Sequence, residues 1–367
     1  MIGYRSVEVS PFPYQGPLEP HQVQGRDELI ADLTERISAR RVTALLGPRR
    51  YGKTSVLRRV AAELTEVTTV WVDLYEVSSV ADVAVRFDDA LAVTTGRFAA
   101  AARALAASVS LNLGVIKVEL TGPARNRPEP ELAFRTLLDV LVGVAAEEPT
   151  LLVIDEFSSI GRVAAAAGAL RTALQHHYSE LGIVFAGSHP SMMRTLFSAR
   201  AEPFYGQADL VEIAALPAVA IEEIVRAGFA STGRKAGHVA GLIGAFTAGH
   251  PQRTMQLADA CWRHTPPGAT ADASTWSQAL DEVRRATAEG IERLYSGFER
   301  GERGVLRAVA RSGSIYGAEA NLLDLATGTA THARRTLLDS GDLAEGDSGL
   351  VVVDPLFADW LRQRFPI

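Results

Sequence analysis

The chain has 367 residues, 47% hydrophobic and 22% charged, a balance that supports two or three domains with substantial cores and excludes extensive disorder. Its net charge of −6 and pI of about 5.8 argue against a surface that tracks nucleic acid throughout, leaving room only for a local basic patch. Cys261 is the one cysteine, so neither an intramolecular disulfide nor a cysteine-based zinc site can form.

Residues 1–22 are rich in Pro, Gly and aromatic side chains and read as an extended arm lying on the domain that follows. The opening MIGYRSVEVSPFPYQ lacks the apolar core of a signal peptide, and no apolar run reaches the length of a membrane span. The expectation is a cytoplasmic protein with no membrane contact. In 23–37, Leu29, Ile30, Leu33 and Ile37 fall at helical spacing, and the helix is entered through Gly25-Arg26-Asp27.

The apolar run Val42–Leu46 predicts a buried strand, and Val56, Leu57, Val60, Ala61 and Leu64 predict an amphipathic helix. Between them lies Gly47-Pro48-Arg49-Arg50-Tyr51-Gly52-Lys53-Thr54-Ser55, which matches G-x-x-x-x-G-K-[ST] in the strand–loop–helix context that the motif requires. A triphosphate needs several backbone N–H donors aimed at one small volume, and a loop ahead of a helix supplies them together with the positive end of the helix dipole. Lys53 would reach the β- and γ-phosphates, and the Thr54 hydroxyl would hold magnesium. A loop that merely joins strand to helix would not need the lysine; this chain has only Lys53, Lys117 and Lys235.

Thr68–Glu76 predicts a second strand, and 78–94 and 97–107 predict helices. Residues 108–122 alternate about Leu113-Gly114 and suggest a hairpin or two short strands. A long helix over 131–146 leads to the strand 151–157, LLVIDEF, which ends in Asp155 and Glu156. Two carboxylates at the carboxyl end of a parallel strand suit a magnesium site and a water-activating base. The strand 182–188 delivers Ser188 and His189, a helix from Ser191 follows, and ADLVEIAALP supplies a fifth strand. Strands alternating with helices make 23–216 a parallel α/β domain. From Ala220 the pattern is helical: 221–232, 238–248, 253–262 and 276–293. From Glu299 onwards, helices over 302–311, 318–326 and 331–341 precede the hairpin-like LAEGDSGLVVVDP, the pattern of a winged helix-turn-helix. The adjacent His176 and His177 point to different helix faces, no H-E-x-x-H occurs, and Cys261 beside Trp262 reads as packing.

Taken together, GRDELIADL, GPRRYGKTSVL, LLVIDEF, VFAGS with MMRTLF and EPFYG, the GHP turn and the terminal DPLFADWLR resemble the archaeal-type P-loop ATPases at the border of the AAA and STAND groups, relatives of origin-recognition-type initiator ATPases. The resemblance spans about residues 22–367 and implies a P-loop NTPase sheet ordered 5-1-4-3-2, a helical lid over 217–298 and a winged-helix domain over 299–367. It implies ATP or ADP with Mg2+ as cofactors, Asp155 on the magnesium side with Thr54, Glu156 as general base and Ser188 at the γ-phosphate-sensing position, where many relatives carry Asn, Thr or Arg. Gly25, Arg26 and Pro251 would border adenine. Arg253 lies near a phosphate-sensing arginine of initiator-type lids, one residue out of register with one common version. Arg194 and Arg200 stand where relatives can carry an arginine for a neighbour's active site, although in an arginine-rich chain a solvated surface role is the favoured reading.

Two functions compete: a slowly hydrolysing ATPase switch whose nucleotide state moves the lid and is relayed to a partner of the winged helix, and a module that holds nucleotide and hydrolyses almost nothing. A small-molecule kinase fits poorly, because no acceptor pocket is recognisable. The predicted recognition helix offers Arg334 and Arg335, but the wing carries Asp342, Glu345 and Asp347, and nine arginines face twelve acidic residues from Glu289 onward. That balance favours a protein partner, self-association or intramolecular docking over DNA, with DNA binding by an oligomer as the alternative.

Overall fold

The computed structural model describes residues 8–108, 129–316, 326–346 and 349–366. The hairpin expected over 108–122, most of the helix expected over 318–326 and the wing residue Asp347 lie outside the described residues. The chain forms two compact units: Asp27–Pro48 with Lys53–Ile213, and Met1–Arg26 with Arg49–Gly52 and Ala214–Ile367.

In the first, α/β unit, α1 (Asp27–Ser38) buries Ile30, Leu33 and Ile37, the spacing of one helix face. Strand β1 (Thr43–Leu46) is wholly buried and leads through the glycine-rich loop into α2 (Lys53–Glu63). Then come β2 (Thr68–Asp73), α3 (Val80–Val93), α4 (Gly96–Ser108), α5 (Pro130–Ala145), β3 (Thr150–Asp155), α6 (Ala164–Leu174), β4 (Leu181–Gly187), α7 (Pro190–Ser198) and β5 (Asp209–Glu212). The Ser79 hydroxyl caps α3 by accepting the Asp82 N–H at 3.1 Å.

All strand pairs in this unit are parallel, in the order β2-β3-β4-β1-β5, which read from the other edge is 5-1-4-3-2. β3 and β4 are buried along their whole length, as continuous apolar strands covered on both faces should be, whereas the edge strand β5 is largely exposed. The order sets β4 between β3 and β1, so the segments leaving their carboxyl ends are neighbours: Asp155-Glu156 from β3, Ser188 from β4 and the loop from β1. Phe157, Phe185, Phe197 and Phe204 form a mutual aromatic cluster, with Phe157 and Phe185 4.4 Å apart at their centroids. Phe157 is fully buried, which anchors the turn immediately after β3.

The second, helical unit has α8 (Ala218–Ser231), α9 (Val239–Thr247), α10 (Pro251–Arg263), α11 (Ala273–Gly297), α12 (Arg300–Ser312), α13 (Thr327–Ser340), β6 (Leu343–Gly346), β7 (Gly349–Val352) and α14 (Pro355–Arg364). β6 and β7 pair antiparallel. One continuous core runs from Ile221, Phe229 and Leu257 through Val305, Leu306 and Leu337 to Phe357 and Leu361. The segments 217–298 and 299–367 share this core. Arg284 on α11 clamps Asp359 on α14 with bonds of 2.9 and 3.1 Å. Cys261 is buried, and desolvation pushes its thiol up to about 12, so it behaves as an inert core residue.

The amino-terminal arm differs from expectation. It belongs to the helical unit, not to the α/β domain that follows it in sequence. Phe12 is 1% exposed, its ring lying 5.7 Å from that of Phe229, and Gly228 leaves the space that the ring fills: a Cβ there would stand 2.3 Å from the Phe12 ring. Arg234 donates to both carboxylate oxygens of Glu8, at 2.9 and 2.7 Å, and Gln252 donates to the Tyr14 carbonyl at 3.2 Å. The physical reason is that a buried phenyl ring gains more from a core of its own size than from proximity in sequence. Phe12→Ala should destabilise the helical unit by about 3–5 kcal/mol. Chemical denaturation of wild type and variant measures this; a difference below about 1 kcal/mol would mean the arm does not belong to that core.

Candidate functional site

Two glycines of the loop hold their places for different reasons. Gly52 has φ +87°, a left-handed conformation that a side chain resists, and nothing crowds its Cβ direction. At Gly47 the constraint is contact: a Cβ would stand 2.2 Å from Cγ2 of Ile213. Arg50 also adopts a positive φ, +66°, unusual for a residue with a side chain.

Within the α/β unit, Lys53 opens α2 and is only 5% exposed. Its ammonium donates to the carbonyls of Gly47 at 2.8 Å and Pro48 at 2.9 Å. The next residue, Thr54, donates from its hydroxyl to Asp155 Oδ2 at 2.7 Å. Asp155 is 6% exposed; burial raises its pKa, against the opposing effects of the Thr54 hydroxyl, the Glu156 amide and the charge of Lys53. Glu156 takes φ +51°, and its carboxylate accepts the Ser188 hydroxyl at 2.5 Å. Left-handed backbone costs a non-glycine residue about 1–2 kcal/mol. The buried Phe157 ring on one side and the Asp155–Thr54 bond on the other hold Glu156 in it.

The helical unit has its own charged cluster. Arg253 in the first turn of α10 is 7% exposed, and its guanidinium grips Asp354, with Nε at 3.0 Å from Oδ1. Burial opposes ionisation of Asp354, but the hydrogen bonds and charge of Arg253 overcome it and hold the carboxyl below its usual range. His250 caps α10, its Nδ1 accepting the Arg253 N–H at 3.4 Å, and its ring stands edge-on to Tyr51 at 5.1 Å. Arg26 donates to the Ala215 carbonyl at 3.5 Å; burial pushes it down to about 10, so it stays charged at neutral pH, and Nη2 has no hydrogen-bond partner among the described residues. Burial also lowers Arg50, with Arg253 and Arg49 adding to the effect and Asp354 opposing it.

Residues 35–196 match the family described as AAA domain. The match covers the α/β unit from α1 into α7 and includes Gly47 to Ser55, Asp155, Glu156 and Ser188. No curated protein matches the chain by sequence. Among solved structures, the Walker-type ATPase PABY2304 of Pyrococcus abyssi is similar at 18% identity and a TM-score of 0.71, covering 96% of this chain and 99% of its own. The Aeropyrum pernix ORC2 protein, solved as ADPNP-ADP complexes, aligns at 15% identity and a TM-score of 0.56, covering 96% and 97%. The Aeropyrum pernix ORC1 protein in complex with DNA aligns at 13% identity and 0.50, covering 93% of each chain. At these identities the structures speak to fold, which is that of P-loop ATPases.

Within the α/β unit the structure brings Lys53, Thr54, Asp155, Glu156 and Ser188 together, and buries Ser55 in α2. Arg194 is ion-paired with Glu212, and Arg200 is exposed in the turn after α7. In the helical unit, Gly25 packs against Ala220 of α8, Pro251 fills the first position of α10, Arg50 lies within electrostatic reach of Arg253 and Asp354, and Tyr51 within that of Arg26 and Asp354. Sequence reasoning missed His250 and Asp354. Both precede a proline, as helix-capping residues do, so the cap was legible, but the partners Tyr51 and Arg253 were not.

His250 gives a pH signature. Burial, with Arg253 and Arg50 adding to it and Asp354 opposing, lowers its pKa from 6.5 to about 4. The unfolded chain therefore takes up a proton first, and stability falls as pH drops from about 6.5 to about 4, by on the order of 3 kcal/mol in total. His250→Asn keeps a capping side chain and removes the titration, so the wild-type-minus-variant stability difference should slope across that window and be flat above pH 7. Parallel curves from pH 7 to 4 would show that the imidazole is not buried neutral.

Proposed function

We propose that the protein is a magnesium-dependent ATPase of slow turnover, a switch whose nucleotide state is relayed through the α8–α11 lid to a winged helix formed by α12 to α14, which contacts a protein partner or a second copy. The observation that carries the reading is the Thr54–Asp155 pair at 2.7 Å beside the Ser188–Glu156 pair at 2.5 Å, at the end of a loop holding a buried lysine. A hydroxyl and a carboxylate are hard oxygen donors, which suits magnesium; water and phosphate oxygens complete its usual shell. The ion would neutralise charge on the β- and γ-phosphates.

The residues divide the work. Lys53 and the backbone of Gly47 to Ser55 bind the phosphates, and Thr54 and Asp155 hold the metal. Glu156 orients a water and accepts its proton as the γ-phosphoryl group transfers, with Ser188 fixing the carboxylate. Gly25, Arg26, Tyr51 and Pro251 border the base, while Arg253 senses the γ-phosphate. A protein-facing winged helix is favoured over a DNA-facing one because Arg334 is paired with Glu345 at 2.9 Å and Arg335 lies 3.9 Å from Asp339, so both cations already face carboxylates.

Lys53→Ala should lower ATP affinity at least about tenfold, since it removes charge-assisted hydrogen bonds in a desolvated site. Calorimetry with unchanged affinity would refute the phosphate-loop reading. Glu156→Gln keeps the shape and the Ser188 bond but cannot take a proton, so it should retain ATP affinity and lose turnover by about 10²–10⁴-fold. Equal single-turnover rates for wild type and variant would leave the chain a nucleotide-holding module with no general base at Glu156.

A further inference from the structure

Arg234 is a cation built to hold a carboxylate. It is 7% exposed, and the helices fix it without help from the arm. Nε donates to the Thr265 carbonyl at 2.6 Å, Nη1 donates to the Thr232 carbonyl at 3.2 Å, and the guanidinium carbon lies 4.5 Å from the centre of the Trp262 ring. Trp262 is itself tied down, its Nε1 donating to the Thr232 hydroxyl at 2.8 Å. The donors left over on Nη1 and Nη2 reach the two carboxylate oxygens of Glu8, at 2.9 and 2.7 Å. A guanidinium oriented beforehand loses little freedom on taking a carboxylate through two parallel N–H bonds.

Gly228 and Phe229 form the other half of the site. The missing Cβ of Gly228 leaves the hole that the Phe12 ring fills. Between the two anchors Val9 is 84% exposed, so the arm crosses the surface and is gripped by a carboxylate and by a ring four residues later. Vacating the site would leave a desolvated cation without its anion beside an apolar hole without its ring, which selects an occupant of that chemistry. Of the 43 acidic residues in the sequence, Glu8 alone is followed four positions later by phenylalanine. The one segment of this chain with the right spacing is therefore the arm itself, and its counterpart in trans is the arm of a second copy.

We propose that the Arg234 clamp and the hole over Gly228 are a peptide-docking site through which two copies of the chain exchange arms, Glu8 and Phe12 of each seating on Arg234 and Phe229 of the other. The contacts are the same in cis and in trans, so concentration and tether decide between them. The arm, α8 and α10 all belong to the helical unit, and none of the residues in the clamp or the hole has a role at the ATP site proposed above. A buried phenyl ring favours docking in cis by about 10²–10³-fold. With an effective concentration of about a millimolar on a short tether, that corresponds to a Kd of about 1–10 μM for the arm in trans.

The test pairs two full-length variants. In Glu8→Gln/Phe12→Ala the arm no longer competes, and the site is open. In Gly228→Leu the new side chain takes the space of the ring, since even a Cβ there would stand 2.3 Å from it, and an intact arm is released. Leucine also suits a helix interior better than glycine, so this donor should fold. Calorimetric titration of the donor into the open variant should give a Kd of about 1–10 μM, and a donor that also carries Phe12→Ala should give no binding. Absence of binding with about 100 μM of each chain, or equal binding by the control donor, would overturn the proposal. An acetylated peptide of residues 8–16 separates the occupants: if it binds the open variant and the donor chain does not, the site takes a free segment and not a second copy, which also overturns it. Should the open variant be unfolded alone, hydrogen exchange on an isotopically labelled sample decides. The donor should restore protection over residues 221–231 and the control donor should not; no restored protection would overturn the proposal.

Discussion

A buried ammonium needs oxygen around it. Lys53 is nearly sealed from solvent, and the loop answers by turning the carbonyls of Gly47 and Pro48 onto it. Burying a charge without such partners costs several kcal/mol, so the loop's curvature and the lysine's position sustain each other. Gly47 must press close to Ile213 for the loop to begin, and Gly52 must turn left-handed for α2 to start at Lys53. The helix that begins there brings the Thr54 hydroxyl to Asp155, and from Asp155 the chain passes to Glu156 and its bond with Ser188.

The α/β core was legible because its signals are local. Apolar runs bounded by polar turns mark β1, β3 and β4, and the parallel arrangement follows from their alternation with helices. Lys53, Thr54, Asp155, Glu156 and Ser188 could be named in advance because each sits at a strand end or a helix start, where sequence position fixes spatial position. The edge strand was recognisable too, although its exposure is a property of the sheet order and not of its four residues.

The remainder depends on long-range pairing, which periodicity does not encode. The arm carries a phenylalanine between prolines, and nothing near it in sequence says that its partner is Phe229. Asp354 reads as a helix cap and is one, yet its bond to Arg253 appears only once α10 and α14 are folded into one core. The grouping of Arg49–Gly52 with the helical unit, while Lys53 and Thr54 belong to the α/β unit, is likewise a tertiary fact. It divides one nine-residue motif between two compact units.

The arm also has a kinetic meaning. Glu8 and Arg234, which clasp each other, are 226 residues apart, and the whole α/β unit is synthesised between them. At the usual 5–20 residues per second, the arm leaves the ribosome roughly 10–45 s before its partner exists. Through that interval Phe12 has no core to enter, while the α/β unit is free to fold as its own strands emerge. Closure of the helical unit is thus a late, high-contact-order event, and it makes the arm, translated well before its partner, late to reach its native place.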